Sequence, residues 1–324
     1  MTQIDSLWSD CPFFLKDFLI YMQVIQGKSE NTVKEYYKDL KNFLRYLKCN
    51  LGKASLNDFD NIIITDLTVD DLKTVSLSFL YEYMYYINTV KKNNGNTRAR
   101  KSSAIKSFFK YLHSKANLLD DNPAKEMESP KLPDLLPKYL SLEESLSLLN
   151  SVDGEFKERD YCMLTIFLNC GLRLSELVGI NISDIKEDYF TVIGKGGKQR
   201  TIYLNDACKA AINNYLAVRP HDGVEDRDAL FLSKRKKRIS PRMVETIVKN
   251  TLNKAGLDAQ KYSVHKLRHT AATLMYKYGN VDVRALQELL GHRQLTTTQI
   301  YTHVDDEQLK DAVQRNPLSG VSED

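Results

Sequence analysis

The chain has 324 residues, which is enough for about two domains, and 42% of them are hydrophobic, which excludes a wholly disordered protein. The formal net charge is only +4, so total charge by itself identifies no partner. The N-terminus lacks a signal-peptide pattern and no apolar stretch approaches the roughly 20 residues of a membrane span, so we expect no membrane partner.

The five cysteines are scattered along the chain and form no C-x-x-C pair. This spacing indicates neither a disulfide framework nor a zinc knuckle. It favours a reducing environment, and we therefore predict a cytoplasmic protein.

The first part of the chain shows two amphipathic helix patterns. The stretch SENTVKEYYKDLKNFLRYL has Ser29 as its predicted N-cap and apolar residues on one face. The stretch TRARKSSAIKSFFKYLHSK repeats this pattern, with its lysines and arginines mainly on the opposite face. Residues 91–115 hold eight basic side chains and no acid, and residues 234–242 hold six and no acid. Such local fields suit a phosphate backbone, although plain solvation explains one basic helix face equally well.

The sequence predicts a domain boundary in the stretch NPAKEMESPKLPDLLP, which holds four of the eight prolines. Proline fixes φ and removes a hydrogen-bond donor, so this stretch is predicted to be an extended linker. The predicted organisation is a helical domain over residues 8–117, a linker over 118–137, a second domain over 138–316 and a tail over 317–324.

The second domain is predicted to be mostly helical with a small antiparallel β-sheet. RDYCMLTIFLNCG reads as a helix closed by Gly171, and ISPRMVETIVKNTLNKAG as a helix capped by Ser240. HKLRHTAATLMYKYG and DVRALQELLG are two further helices. Between the first two of these helices, DYFTVIGKGGKQRTIYL predicts two strands joined by a glycine-rich turn. The fold class is therefore mainly α.

A tyrosine between two histidines, in ELLGHRQLTTTQIYTH, is the first candidate for chemistry. The phenol of Tyr301 is a poor nucleophile because it keeps its proton until about pH 10. Other residues must therefore activate it. The candidates are Arg173 in GLRLSEL, Lys198 in GKGGK, and His265 and Arg268 in HKLRH.

Each of these motifs has another explanation when taken alone. Arg173 is equally explained as a surface residue paired with Glu176 at i, i+3. The i, i+4 pair His265 and His269 invites a zinc site, but Lys266 replaces the glutamate of that motif and would repel a cation. The GKGGK turn resembles a phosphate-binding loop, but strands flank it on both sides, so nucleotide hydrolysis is excluded.

Taken together, the arginines, lysine, histidines and tyrosine indicate transfer of a phosphodiester. A phosphodiester under in-line attack gains negative charge on its non-bridging oxygens, and arginine side chains neutralise that charge without a metal. The tyrosine attacks, and a lysine or histidine protonates the departing sugar oxygen. No metal site and no cofactor are expected.

The motifs GLRLSEL, GKGGKQR, HKLRHTAAT and LLGHRQLTTTQIYTHV, in this order and spacing, resemble the tyrosine recombinase or phage-integrase family. The N-terminal helical stretches resemble the core-binding domain of the same family. Among its subfamilies the chain is most similar to the Xer type of chromosome-dimer resolvase. This resemblance implies a site-specific recombinase that cuts and rejoins DNA through a covalent 3′-phosphotyrosyl intermediate.

The resemblance also implies a role for each matching residue. Tyr301 would be the nucleophile, Arg173 and Arg268 would clamp the scissile phosphate, and Lys198 would protonate the leaving 5′-oxygen. His265 would assist proton transfer at the tyrosine.

Two more matching positions and one mismatch complete the site expected from the family. His292 would hydrogen-bond the phosphate, and Glu176 would position its neighbours. His269 and His303 are assigned to structure. Residues 49–75 form a connection longer than is usual in the family, and we assign no site residue to it.

The expected partner is double-stranded DNA at a recombination site, bound by a homo-oligomeric, tetrameric synapse or by a paired recombinase. The two domains are expected to close around the duplex, with Arg98, Lys101, Lys106 and Arg242 as its contacts. The biological role is chromosome-dimer resolution or integration and excision of a mobile element. Two alternatives stay open: a type IB topoisomerase, which would not need the short tail helix in DDEQLKDAVQRNP, and a DNA-binding regulator with an inactive catalytic fold.

Overall fold

The structure is a computed structural model that describes residues 8, 10–131, 138–194, 197, 199–279 and 281–291. The chain divides into two compact units, Met1–Asp134 and Leu135–Asp324, and each has a hydrophobic core of its own. Within the described ranges, no helix is both long enough and apolar enough to cross a membrane. All five cysteines lie in these ranges as free thiols.

The N-terminal unit is helical. Its regular elements are α1 (Phe13–Ile20), which continues into a π-helical turn (Tyr21–Ile25), α2 (Glu30–Asn50), a 3₁₀ turn (Leu56–Asn61), α3 (Val69–Lys73), α4 (Leu77–Thr89) and α5 (Gly95–Ser114). Ser29 caps α2, as its sequence predicts, by accepting a hydrogen bond from the Thr32 amide. Asn94 caps α5 by accepting one from the Thr97 amide.

Aromatic side chains hold α2, α4 and α5 together. The ring centroid of Phe43 lies 6.1 Å from that of Phe79, 5.3 Å from that of Tyr83 and 5.8 Å from that of Phe109. All three contacts have edge-on geometry, which the quadrupole of the ring favours. The apolar faces read from the two helix patterns therefore meet in one core.

The connection over residues 49–75 is packed rather than loose. Its α3 helix begins with a capping box, in which Thr68 and Asp71 each bond to the other's backbone amide. Ile62, Ile64 and Leu67 are buried in the core of the unit. The extra length is thus an additional layer on this unit.

Part of the predicted linker also belongs to the N-terminal unit. Leu119, Ala124 and Met127 are buried in its core, and the Asn122 side chain accepts a hydrogen bond from the Ala124 amide in a tight turn. The sequence predicts an extended stretch here because of its prolines. The structure differs up to Met127, because the apolar residues between those prolines pack inward. Residues 132–137 lie outside the described residues.

The C-terminal unit is helical with a single two-stranded sheet among its described residues. Its elements are α6 (Leu142–Asn150), α7 (Lys157–Cys170), α8 (Leu174–Val178), a 3₁₀ turn (Ile182–Asp184), β1 (Tyr189–Ile193), β2 (Gln199–Tyr203), α9 (Asp206–Val218), α10 (Pro241–Lys254), α11 (Val264–Tyr278) and α12 (Val283–Leu290). The strands pair antiparallel, with Phe190 opposite Ile202 on the buried face. The predicted fold class, mainly α with a small antiparallel sheet, is confirmed.

Candidate active site

The turn after α7 brings the first site residue into place. The helix ends at Cys170, and Gly171 follows in the left-handed conformation with φ of 61°. A Cβ on Gly171 would lie 2.9 Å from Cδ2 of Leu290, so α12 packs directly against this turn. Only glycine meets both demands without strain. Two residues later, Arg173 stands at the N-terminus of α8.

Arg268 binds the backbone of the same turn. It lies on α11 and is only 2% exposed. Its guanidinium donates to the carbonyl oxygen of Gly171 at 2.6 Å and to that of Leu290 at 2.5 Å. The two arginines of the sequence motifs, 95 residues apart in the numbering (268 − 173), therefore meet around one turn.

Glu176 is the acid on which these arginines converge. Its Oε1 accepts from Nη1 of Arg173 at 2.7 Å, and its Oε2 accepts from the Arg173 amide at 2.8 Å and from Nη2 of Arg200 at 2.8 Å. Nη1 of Arg268 lies 3.8 Å from Oε2. We call Arg173, Arg200 and Arg268 the arginine cluster.

The carboxylate of Glu176 stays ionised although it is buried. Burial alone would raise its pKa. The Arg173 amide and the charge and hydrogen bond of Arg200 outweigh that effect and hold the pKa below its ordinary value. The site therefore has a fixed negative charge at its centre.

Arg173 has a second contact besides Glu176. Its Nη2 donates to the carbonyl oxygen of Gly291 at 3.2 Å. The sequence offered an ordinary i, i+3 pair of Arg173 and Glu176 at the surface, and the pair is present. Its carboxylate is buried, however, while the side chain of Arg173 is still 35% exposed. A guanidinium with one face fixed and another open to solvent is suited to binding an external anion.

Arg200 is the site residue that sequence reasoning missed. It lies on β2, and besides Glu176 it donates to the carbonyl oxygen of Leu289. Gly291 sits directly on it, since a Cβ there would be 3.0 Å from Cδ of Arg200. One signal was available: Arg200 shares the inward face of β2 with buried Ile202, and an inward charge needs a partner.

His265 lies on α11, one helical turn before Arg268. Part of its surface is open to solvent and part is covered by the protein, and its ring centroid lies 4.6 Å from that of buried His269. Partial burial and the positive charges of Arg268, Lys266 and Arg173 lower the pKa of His265 below 6.5. The imidazole is therefore neutral at pH 7 and can accept a proton. The burial of His269 agrees with its structural assignment.

A cavity of 580 Å³ opens beside these residues. Arg173 and His265 line it together with Pro241 and Val248 of α10 and with Tyr262. Within the described part of the chain, no group of three or more histidines, cysteines or acids is placed to hold a metal ion. The described part of the site is thus a buried carboxylate surrounded by arginines, beside an open cavity whose wall also includes Glu245.

Three predicted catalytic residues, Lys198, His292 and Tyr301, lie outside the described residues, as does His303. The described chain stops at Gly291, which ends α12 in the left-handed conformation, as the sequence predicts.

The structure treats the four predicted DNA contacts differently. Arg242 is exposed in the first turn of α10, and Arg98 and Lys106 are half-buried on α5. Lys101 is buried, and its ammonium lies 3.0 Å from Oδ1 of Asp39 on α2. The sequence placed Lys101 on an exposed basic face. That placement is wrong, because this face of α5 packs against α2, where a buried carboxylate supplies the opposite charge.

Comparison with known proteins identifies the family of this chain. Residues 138–308 match the phage integrase family, and residues 15–116 match the phage integrase N-terminal SAM-like domain. The chain belongs to the phage integrase family. The predicted membership is therefore confirmed, and with it a Xer-like, site-specific tyrosine recombinase that cleaves and rejoins DNA.

Individual members of the phage integrase family are similar along nearly the whole chain. The tyrosine recombinase XerC of Caldanaerobacter subterraneus subsp. tengcongensis is 57% identical over 309 residues, which cover 95% of this chain and 88% of that protein. The tyrosine recombinase XerD of Proteus mirabilis is 34% identical over 319 residues, covering 95% and 94%. The crystal structure of the XerH site-specific recombinase in a post-cleavage complex with palindromic difH substrate has the same fold. Its TM-score is 0.68 at 23% identity, and the alignment covers 93% of this chain and 94% of that one.

Proposed function

We propose that this recombinase cuts each DNA strand by attack of the Tyr301 phenol oxygen on the scissile phosphorus. The bond from phosphorus to the 5′-oxygen breaks, the phenol proton leaves to a base, and the 5′-oxygen takes up a proton. The product is a 3′-phosphotyrosyl link and a free 5′-hydroxyl. The 5′-hydroxyl of a partner strand then attacks this link and reforms a phosphodiester. The energy of the phosphodiester is kept throughout, so no cofactor is needed.

The observation that carries this proposal is the convergence of Arg173 and Arg268 on Glu176. The phosphorane formed by in-line attack carries extra negative charge, and fixed guanidiniums stabilise it without reorganisation. Arg173 has an open face for the phosphate, while two main-chain carbonyls hold Arg268 in place behind it. Among the described residues, the buried acid at the centre of the site is already paired with arginines, and this supports anion binding.

The remaining roles rest on the family motifs and on one structural property. His265 is neutral at pH 7, which suits a group that receives the proton of Tyr301. Lys198 is proposed to protonate the leaving 5′-oxygen, and His292 to hydrogen-bond the phosphate.

The proposed partner is double-stranded DNA at a recombination site, bound by a tetramer or with a second recombinase. Two solved relatives support this. XerH was crystallised on its difH substrate, and lambda integrase as a tetramer on a Holliday junction. Arg98, Lys106 and Arg242 are the proposed DNA contacts. We place the reaction in the cytoplasm, in chromosome-dimer resolution or in movement of a mobile element.

The test is cleavage of a nicked suicide duplex, which releases a short fragment after cutting and so traps the covalent intermediate. Wild-type protein should give a protein–DNA band on a denaturing gel. Tyr301→Phe removes only the hydroxyl, so it should bind the duplex with unchanged affinity and give no band. Tyr276→Phe, a change at a half-buried tyrosine on α11, is the matched control and should give the band. A covalent band from Tyr301→Phe would place the nucleophile elsewhere.

A further inference from the structure

The guanidinium of Arg200 joins three separate segments of the C-terminal unit. It extends from β2, donates to Oε2 of Glu176 on α8 at 2.8 Å, and donates to the carbonyl oxygen of Leu289 in the last turn of α12. Its side chain is only 13% exposed. It therefore has little surface with which to meet DNA directly, in contrast to Arg173.

Glu176 links Arg200 to Arg173. The two arginines hold opposite ends of one carboxylate, since Nη1 of Arg173 binds Oε1 and Nη2 of Arg200 binds Oε2. A carboxylate fixed at one oxygen by Arg200 has one orientation in which its other oxygen can hold Arg173. The Arg173 amide also donates to Oε2, so without Arg200 this amide alone fixes that oxygen, and the direction of the Arg173 guanidinium is held less firmly.

Arg200 also sets the second contact of Arg173. The carbonyl oxygen of Gly291 accepts from Nη2 of Arg173, and Gly291 rests on the side chain of Arg200, which also holds the carbonyl of Leu289 two residues earlier. Arg200 therefore supports both anchors of Arg173, the carboxylate and the Gly291 carbonyl, while Arg268 holds the intervening carbonyl of Leu290.

We propose that Arg200 is a positioning residue for cleavage, which acts by aligning Arg173 with the scissile phosphate. This inference rests on the proposed function, because it takes Arg173 as the group that neutralises the phosphate. It gives a role to Arg200, the last residue of the GKGGKQR motif, in addition to the tyrosine, two histidines, lysine and two arginines assigned from the sequence. Its effect belongs to the cleavage step and not to the affinity for DNA.

A neutral substrate separates this role from a general structural one. In a methylphosphonate duplex, a methyl group replaces one non-bridging oxygen at the scissile position, so the reacting group is neutral before attack and its phosphorane carries one negative charge fewer for an arginine to neutralise. Cleavage rates are measured under single turnover at saturating protein on the normal and the neutral suicide duplex. Arg173→Ala reports on the proposed function, and Thr201→Ala, on the exposed face of β2, is the matched control.

We expect Arg200→Gln to cleave the normal duplex about 100-fold more slowly than wild type, because misalignment of a positioned group has a cost of that order. On the neutral duplex the deficit should shrink at least tenfold, as it should for Arg173→Ala. Thr201→Ala should match wild type on both. If Arg173→Ala recovers on the neutral duplex and Arg200→Gln does not, the inference is wrong and the proposed function stands. If Arg173→Ala itself fails to recover, the proposed role of Arg173 is wrong.

A double-mutant cycle keeps the test independent of the substrate analogue. If Arg200 acts through Glu176, then Arg200→Gln should slow a Glu176→Gln protein no further. Additive losses would overturn the inference. Thermal melting shows whether Arg200→Gln is unfolded. If it is, Arg200→Lys replaces it in the test, because lysine keeps the positive charge but cannot reach both Glu176 and the Leu289 carbonyl. Wild-type cleavage by Arg200→Lys would also overturn the inference.

Discussion

The imidazole of His265 stands among cations, and its protonation is therefore unfavourable. Arg268, Lys266 and Arg173 add to the effect of partial burial and lower the pKa of His265 in the folded protein. A histidine whose folded pKa is lowered binds fewer protons in the folded than in the unfolded state. Above pH 6.5 the imidazole is mostly neutral in both states. As the pH falls from 6.5 toward the folded pKa, the unfolded state takes up more protons, and the free energy of unfolding decreases.

The same shift predicts the pH dependence of cleavage. If neutral His265 receives the proton of Tyr301, the acid limb of the cleavage rate should lie below pH 6.5. His265→Gln should lower the rate at neutral pH and remove this limb. The measurement is the single-turnover rate on the suicide duplex between pH 5 and pH 8. An unchanged acid limb in His265→Gln would assign the titration to another group.

Sequence reasoning assigned roles to residues with local partners or family roles but gave none to Arg200, although Arg200 ends the GKGGKQR motif. Arg173 and Glu176 are three positions apart, so their pairing follows from helix geometry. Arg200 meets Glu176 across 24 positions and Leu289 across 89. No local pattern encodes contacts at such separations. Only the inward position of Arg200 on β2 hinted that it needed a partner.

At the level of helices, the residues at which a helix begins and ends could be predicted from the sequence, but which face of a helix is exposed could be predicted less well. The cap at Ser240 and the left-handed stop at Gly171 depend on a few neighbouring residues, and both are where the sequence predicts them. The exposed face of α5 depends on what packs against it. Lys101 was placed wrongly because its environment is set by Asp39, which lies 62 positions away (101 − 39) on α2.

The buried pair of Lys101 and Asp39 gives a stability prediction for the N-terminal unit. Burial raises the pKa of Asp39 despite Lys101 and Arg100, so loss of a cation from this carboxylate is costly. Arg100, whose Nη1 lies 2.7 Å from Oδ2 of Asp39, remains in Lys101→Met, so this variant should lower the free energy of unfolding by about 2 kcal/mol. Adding Asp39→Asn should restore most of the loss. Urea unfolding of the single and double variants measures both, and a harmless single variant would contradict the pairing.

The first turn of α10 gives a prediction about DNA. Arg242 is exposed there, beside the cavity wall formed by Pro241. If it contacts a phosphate, Arg242→Gln should weaken DNA binding and reduce the slope of log affinity against log salt by about 1. Lys157→Gln is the control. Lys157 begins α7, about 20 Å of helix away from the turn at Gly171, and its loss should leave the slope unchanged.

Across the whole molecule, the two units differ in how acidic side chains balance the charge of their basic side chains. The N-terminal unit supplies acids for its buried cations, as Asp39 does for Lys101 and Asp66 does for Lys48. The C-terminal unit places two guanidiniums, Arg173 and Arg200, on the single carboxylate of Glu176, which leaves an excess of one positive charge (2 − 1) on that carboxylate's direct partners. Arg173 has the open side on which that excess faces solvent.

This imbalance makes an external anion a stabilising ligand of the C-terminal unit. A ligand that binds only the folded state at 100 times its Kd adds about 2.7 kcal/mol of stability. Sulfate should therefore raise the melting temperature more than sodium chloride of equal ionic strength, and a DNA duplex should raise it further. Arg173→Ala should lose most of the specific sulfate effect, and equal responses to the two salts would argue against it. Under the proposed function, the DNA backbone is the counter-ion for Arg173 that the described residues of this site do not supply.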